Sequence, residues 1–193
     1  MLLSIAALAC LILAPATEAA DAIRPGEHVP EFTVVTMDGH NVHSSNFHGQ
    51  VTVVTFISTR CPISNAFNKR MNDLYLAYRD RVRFLFVNSS PRESIAEVAE
   101  HAKAVGYDFP VFNDSNGAAA ERLGATATPD AFVINSAGVL RYHGYIEDAL
   151  NPDRVKHRGL RLAIEATLNG SAVPVNRTHA FGCARWPARL QTP

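Results

Sequence analysis

A chain of 193 residues, 47% of them apolar and with a formal net charge of zero, is long enough for one well-filled core and no more. The balanced charge offers no basic face for nucleic acid. No repeat or low-complexity tract interrupts the sequence.

The first element is an almost wholly apolar run from Met1 to Ala14, ended by Pro15 and followed by small residues. Cleavage sites follow Ala19 (Thr17-Glu18-Ala19) and Ala22 (Ala20-Asp21-Ala22), so residues 1–20 are expected to be a removable signal peptide. The run is too short to span a bilayer. The expectation is therefore an exported protein, periplasmic or secreted, with no stable membrane insertion after cleavage. The alternative is a retained anchor helix, because no Lys or Arg precedes the apolar run. Cleavage removes Cys10 and leaves Cys61 and Cys183 as the remaining thiols. In an oxidising compartment such a pair either bonds or is kept reduced by a partner.

Glu31 to Thr36 and Val42 to Ser44 flank the turn Met37-Asp38-Gly39 and predict a hairpin. His40, His43 and His48 fall nearby, but their spacing does not force convergence, and they read as solvated surface residues rather than metal ligands. Val51 to Ile57 is an apolar, β-branched run of the kind buried on both faces of a sheet. It breaks at Ser58-Thr59-Arg60, and a helix is predicted from Pro62 to about Tyr78, since proline suits the first helical position. Phe67, Met71, Leu74, Leu76 and Tyr78 include its core-facing set. Cys61 then stands at a helix N-terminus at the carboxyl end of a central strand. The helix dipole and the neighbouring Arg60 both favour a thiolate there, and Ser64, on the same side of the first turn, is placed to donate a hydrogen bond to the sulfur. A buried, inert thiol is the alternative.

Val82 to Asn88 predicts the next strand. Ser90-Pro91-Arg92-Glu93 reads as a capping box that opens a helix running to about Val105. A short strand at Phe109 to Phe112, a small helix from Ala118 to Leu123 and a hairpin built on Ala131 to Ile134 and Val139 to Tyr142 follow. A last helix is predicted from Pro152 to Leu168. Strands alternating with helices, then a hairpin and a helix, give an α/β class with a mixed sheet. Residues 171–193 lack periodicity and read as either a disordered tail or a strap. Cys183 within it is either a solvated tail thiol or a partner for Cys61. Asn88 and Asn176 lie in N-x-S/T sequons.

The segment Cys61-Pro62-Ile63-Ser64, a C-x-x-S form of the C-x-x-C motif, followed about 70 residues later by Thr128-Pro129 before a strand, resembles the thioredoxin superfamily. With Pro30-Glu31-Phe32-Thr33 and Asp38-Gly39, the resemblance is to its redoxin branch, the AhpC/TSA-type peroxiredoxin- and thioredoxin-related proteins, over roughly Gly26 to Gly170. It implies a thioredoxin-like fold, a central mixed β-sheet flanked by helices. An N-terminal β-hairpin extends that domain (21–170), and a C-terminal strap (171–193) carries Gly182-Cys183. It also implies an enzyme of thiol-disulfide exchange, in which Cys61 is the nucleophile. Pro62, Thr128 and a cis Pro129 wall the substrate groove. Ser64 replaces the local resolving cysteine, which leaves Cys183 as the intramolecular candidate. The expected partners are protein thiols and disulfides or peroxides, with an external thiol reductant; no cofactor and no metal are called for.

Two alternatives accompany this reading. A thiol peroxidase would keep the pattern P-x-x-x-[TS]-x-x-C, of which Ser58 and Cys61 fit but Val54 stands at the proline position. Thr55 likewise stands where thioredoxins bury an acid. A copper-binding module would join Cys61 and Cys183 to His179, since thiolates and imidazole suit Cu(I).

Overall fold

The structure, a computed structural model, describes residues 22–184. The expected signal segment (1–20) and the end of the tail, including Trp186, lie outside the described residues. In chain order the elements are β1 (Thr33–Thr36), β2 (Asn41–His43), β3 (Val51–Ile57), α1 (Pro62–Ala66), α2 (Asn68–Tyr78), β4 (Val82–Asn88), α3 (Ile95–Val105), β5 (Val111–Asn113) and α4 (Ala118–Leu123). They continue with β6 (Ala127–Thr128), β7 (Asp130–Ile134), β8 (Leu140–Gly144), α5 (Gly159–Leu168) and β9 (Cys183–Ala184). Seven strands form one mixed sheet in the order β2-β1-β5-β4-β3-β7-β8, while β6 and β9 make a separate two-stranded pair. This is a thioredoxin-like α/β fold.

The continuous apolar run of β3 is explained by burial on both faces. Val53 and Ile57 face a core shared with Phe67, Met71 and Leu74 of the α1–α2 segment and with Leu160 and Ile164 of α5. Val54 and Phe56 face the opposite core, with Phe32, Phe47 and the α4 residues Ala119 and Leu123. The strand is held from both sides as well, parallel to β4 and antiparallel to β7. A loop that leaves its carboxyl end therefore starts from the most constrained place in the molecule.

Three local expectations are corrected. The helix predicted from Pro62 to Tyr78 is two, broken at Phe67, whose backbone (φ −96°, ψ −3°) caps α1 and opens α2. At the break the Phe67 ring is buried under the Arg70 guanidinium, 3.9 Å from its centroid. Asn65 turns its side-chain amide back to the Thr59 carbonyl at 2.8 Å, the kind of local bond that competes with helix. The capping box is not Ser90–Glu93. It lies one turn later, where Ser94 and Glu97 bond reciprocally and α3 starts at Ile95. The last helix begins at Gly159, not Pro152: residues 152–154 form only a 3₁₀ turn capped by Asn151. Asp148 holds the following stretch open, accepting from the Lys156 amide at 2.9 Å and donating its own amide to the His157 carbonyl at 3.1 Å.

The segment after α5 is a strap across the body. The His143 amide donates to the Asn176 carbonyl at 3.0 Å, and the Thr178 amide donates to the His143 carbonyl at 2.9 Å. The Thr178 hydroxyl accepts from the Tyr145 amide at 3.1 Å and lies 2.9 Å from the Tyr142 hydroxyl. Ala180 is buried, the Phe181 ring meets Phe67 edge-on at 6.0 Å, and Cys183–Ala184 pair antiparallel with Ala127–Thr128. Of the two sequons, Asn88 has no exposed surface.

Candidate active site

β3 ends at Ile57, and Ser58-Thr59-Arg60 turns the chain into α1, with Cys61 as N-cap and Pro62 in the first turn. A side chain at this position can accept from the free amides of the first turn. The Cys61 sulfur does so, receiving the Ser64 amide at 3.3 Å. The donor is thus the backbone of Ser64. Its hydroxyl instead accepts from the Ser58 amide at 3.3 Å and braces the turn from inside.

The peptide bond between Thr128 and Pro129 is cis, and the Thr128 carbonyl oxygen lies 3.2 Å from the Cys61 sulfur. Cys61 and Cys183 are bonded, with their Cα atoms 5.9 Å apart, inside the range that a disulfide spans comfortably. Residues 61, 64, 128, 129 and 183, predicted from three separate stretches of sequence, thus meet in one place. Cys61 is 2% exposed, whereas Cys183 is half-buried. A cavity of about 250 Å³ opens beside the pair, walled by Cys61, Cys183, Arg92, Glu93, Ser90 and Thr128.

Arg60 also reaches this cavity, but its charge is committed elsewhere. The guanidinium pairs with Glu97 at 2.6 Å, with 58% of its side chain exposed. The Ser94 amide and then Arg60 itself hold the Glu97 carboxyl down to about 2. The charge thus anchors the β3–α1 turn to the start of α3.

Glu93 is the residue that sequence reasoning misplaced. It is 3% exposed, and its carboxylate gathers four donors. The Ser58 hydroxyl lies at 2.5 Å, the Thr59 amide at 2.8 Å, the Thr59 hydroxyl at 2.6 Å and the Asn88 side-chain amide at 2.7 Å. Burial alone would push this carboxyl up, but the bonds from Ser58, Thr59 and Asn88 outweigh it and leave it below the ordinary range. Glu93 is a fixed anion that ties the turn before Cys61 to the β4–α3 connection. Thr55, where the resemblance would place a buried acid, has a buried hydroxyl with no hydrogen-bond partner. The buried acid of this site arrives from a different element. The available signal was the tandem S-x-x-E, Ser90–Glu93 and Ser94–Glu97, of which only one member can cap the helix.

Behind Pro129, the wholly buried Asp130 accepts from the Thr126 amide at 3.0 Å and lies 3.0 Å from Nε2 of His143. His143 is the residue whose backbone anchors the strap, so groove and strap share one support. Among the described residues no three His, Cys, Asp or Glu side chains converge as a metal set, so His179 does not complete a copper site with the two cysteines. Ser58 lines the cavity but commits its hydroxyl to Glu93, and Val54 lies within β3. The partial peroxidase pattern therefore has no peroxide-orienting counterpart here.

Comparison with known proteins agrees with this architecture. The thiol-disulfide oxidoreductase ResA of Bacillus thuringiensis is 26% identical over 113 residues, 58% of this chain. The match spans 65% of that relative's length. ResA of Geobacillus thermodenitrificans is 26% identical over 143 residues, covering 73% of this chain and 80% of the relative. The crystal structure of a hypothetical protein from Sinorhizobium meliloti superposes with a TM-score of 0.77 at 28% identity, covering 87% of this chain and 97% of the other. Residues 25–143 match the AhpC/TSA family model, and with the strand–cysteine–helix turn and the cis Thr128–Pro129 bond beside it, the chain belongs to the AhpC/TSA family.

Proposed function

We propose that the protein is an exported thiol-disulfide oxidoreductase that works through Cys61 and Cys183. The observation that carries this reading is the bonded pair itself, with one sulfur at the N-cap of α1 against Thr128 and the other on a strap laid over it. In the reducing direction the Cys61 thiolate attacks a partner disulfide. A Cys61–partner bond forms, and the partner's second sulfur leaves as thiolate. Cys183 then attacks Cys61, re-forming the internal bond and releasing the partner's remaining thiolate. Two electrons pass from the protein to the partner, and an external dithiol returns them.

Exposure assigns the two sulfurs different roles in the return step. Cys61 is covered and Cys183 is reachable from the cavity. An incoming thiolate therefore attacks Cys183, and Cys61 leaves, its developing charge received by the Ser64 amide. Ser64, Arg60 and Glu93 position the turn; Pro62, Thr128 and Pro129 wall the groove.

The test is electron transfer by the full-length chain to a protein disulfide, with peptide mapping. Cys61→Ser should abolish transfer, and Cys183→Ser should accumulate the Cys61–partner mixed disulfide. When the oxidised chain is treated with limiting thiol and quenched early, the freed thiol should be Cys61. Full transfer by Cys61→Ser, or none by the wild type, overturns the assignment. Export is tested separately: the protein from its native cell should begin after Ala19 or Ala22, and a chain starting at Met1 would refute it.

A further inference from the structure

The cavity beside the disulfide is shaped by more than the two sulfurs. At about 250 Å³ it falls just below the roughly 300–1,000 Å³ of sites that take drug-sized ligands, which suits a compact molecule. Its walls differ in character. Ile57 and Ala184 give it an apolar side, and Ser89, Ser90 and Arg92 of the β4–α3 connection give it a polar one.

The charges around it are unequal. Glu93 lines the cavity, but four donors take up its carboxylate. Arg60 lines it too, and pairs with Glu97. Arg92 is exposed, and the backbone beneath it is fixed. Its amide donates to the Ser90 hydroxyl at 3.3 Å, and the Glu93 amide donates to the Ser90 carbonyl at 3.3 Å. The Ser90 hydroxyl, an acceptor in the first of these bonds, keeps its own proton to donate. An anion in the cavity therefore meets guanidinium and hydroxyl groups. Among the described lining residues the one carboxylate is already bonded.

We infer that this cavity receives the donor that re-reduces the protein, and that the donor is a small dithiol with a carboxylate on a short apolar chain. The inference rests on the exchange reading above and names the class of its external dithiol. The carboxylate pairs with Arg92, whose guanidinium can hold it by two parallel bonds, and the chain lies along Ile57 and Ala184. One donor thiolate attacks the Cys183 sulfur, the bond to Cys61 breaks, and Cys61 leaves as thiolate. The donor's second thiolate then attacks the donor sulfur of that mixed disulfide. A cyclic disulfide closes on the donor and Cys183 is released. Two electrons enter the protein, and the two protons given up by the donor thiols balance those taken up by the cysteines. Both thiols belong on one molecule for a physical reason. After the first attack Cys61 remains beside the mixed disulfide and can expel the donor again. A second monothiol from solution competes poorly with that tethered thiol, whereas a second thiol on the donor is itself tethered.

The experiment uses the oxidised full-length chain and two donors that share one dithiol and one chain, dihydrolipoate and its uncharged amide, dihydrolipoamide. Reduction of the Cys61–Cys183 bond is followed by acid quench and peptide mapping at low ionic strength, where exposed charges are least screened. The rate with dihydrolipoate should saturate. At low concentration it should exceed the rate with the amide about tenfold, as expected for one hydrogen bond between charged groups. In Arg92→Ala the two rates should become equal, and Arg92→Lys should keep part of the preference. Each variant is scored by its own ratio of rates, so a general loss of reactivity does not imitate the effect. Equal rates for the two donors in the wild type, or a preference that survives Arg92→Ala, overturns the cavity assignment alone. A chain whose Cys61–Cys183 bond neither donor nor dithiothreitol reduces, or whose reduced form passes no electrons to a protein disulfide, overturns the exchange reading beneath it.

Discussion

The two cysteines of the site are held by opposite means. Cys61 sits at the end of the strand most constrained from both sides. Its turn is fixed by the Ser64 hydroxyl from within, by Glu93 from the β4–α3 connection and by Glu97 of α3, which pairs with Arg60. None of these contacts is made through the sulfur–sulfur bond. Cys183 has a two-residue ladder, a glycine that fits its seat, and the bond itself. One thiol is placed by the fold and the other by its chemistry. A redox pair built this way should change shape on the Cys183 side and keep the Cys61 side fixed.

The largest break of that comparison is to remove the bond. It closes a separation of 122 residues, which in the chain-entropy estimate stabilises the folded chain by at most about 5 kcal/mol. Reduction, or Cys183→Ser, should therefore lower the thermal midpoint, by up to roughly 10–20 °C for a chain of this size. Calorimetry of the oxidised and reduced protein measures it, and equal midpoints would mean that the strap contributes no constraint.

Glu93→Gln tests the rigid side. The amide keeps the shape but turns a donor toward groups that are themselves donors, and should cost about 2–3 kcal/mol. Denaturant midpoints read this directly, and Cys61 alkylation in the reduced variant should slow as the turn loosens. The pH dependence has a definite sign. Because the folded carboxyl titrates below its ordinary value of 4.5, its stabilisation is complete above that pH and is lost as pH falls through the lowered value. Glu93→Gln should remove that part of the acid sensitivity, and an unchanged acid limb would exclude Glu93 as a significant contributor.

Gly182→Ala tests the weak side without touching either sulfur. The added methyl meets the Thr128 carbonyl, so the internal disulfide should become about tenfold easier to reduce, or about 1.4 kcal/mol. Equilibration against a dithiol buffer measures the shift. The smallest effect is expected for Arg60→Ala, since the Arg60–Glu97 pair lies in solvent and such pairs contribute little. Its transfer rate should change less than twofold in physiological salt; a large loss would mean that the guanidinium acts on the sulfur directly.

The same division explains what could be read from the sequence. β3, its abrupt end and Cys61 at the start of a helix were legible because apolar runs and proline placement report local backbone directly. The partnership of Cys61 with Cys183 was within reach because Ser64 removed the local alternative and the expected loss of residues 1–20 would leave one other thiol. Glu93 was not legible as a clamp. Its S-x-x-E match with Ser90 is as good as that of Ser94 with Glu97, and only the donors waiting on Ser58, Thr59 and Asn88, brought close by parallel pairing of β3 with β4, decide between them. The break at Phe67 depends on Arg70 stacking over a ring that also meets Phe181, a contact made with a residue more than a hundred positions away. Gly182 was singled out only through the resemblance; its close fit is set by the Thr128–Pro129 backbone it lies against.

The anchor at Thr178 has a further consequence. Cys183 lies five positions beyond it, a reach of about 17 Å when fully extended, so a freed Cys183 thiol stays in the neighbourhood of Cys61. A short tether of this kind gives an effective concentration in the millimolar range. An outside thiol of equal intrinsic reactivity must approach that concentration before it can compete for a mixed disulfide at Cys61. The length of the strap beyond its anchor thus sets a threshold: below it the internal thiol closes the cycle, and above it the surrounding thiol pool dictates which sulfur Cys61 keeps.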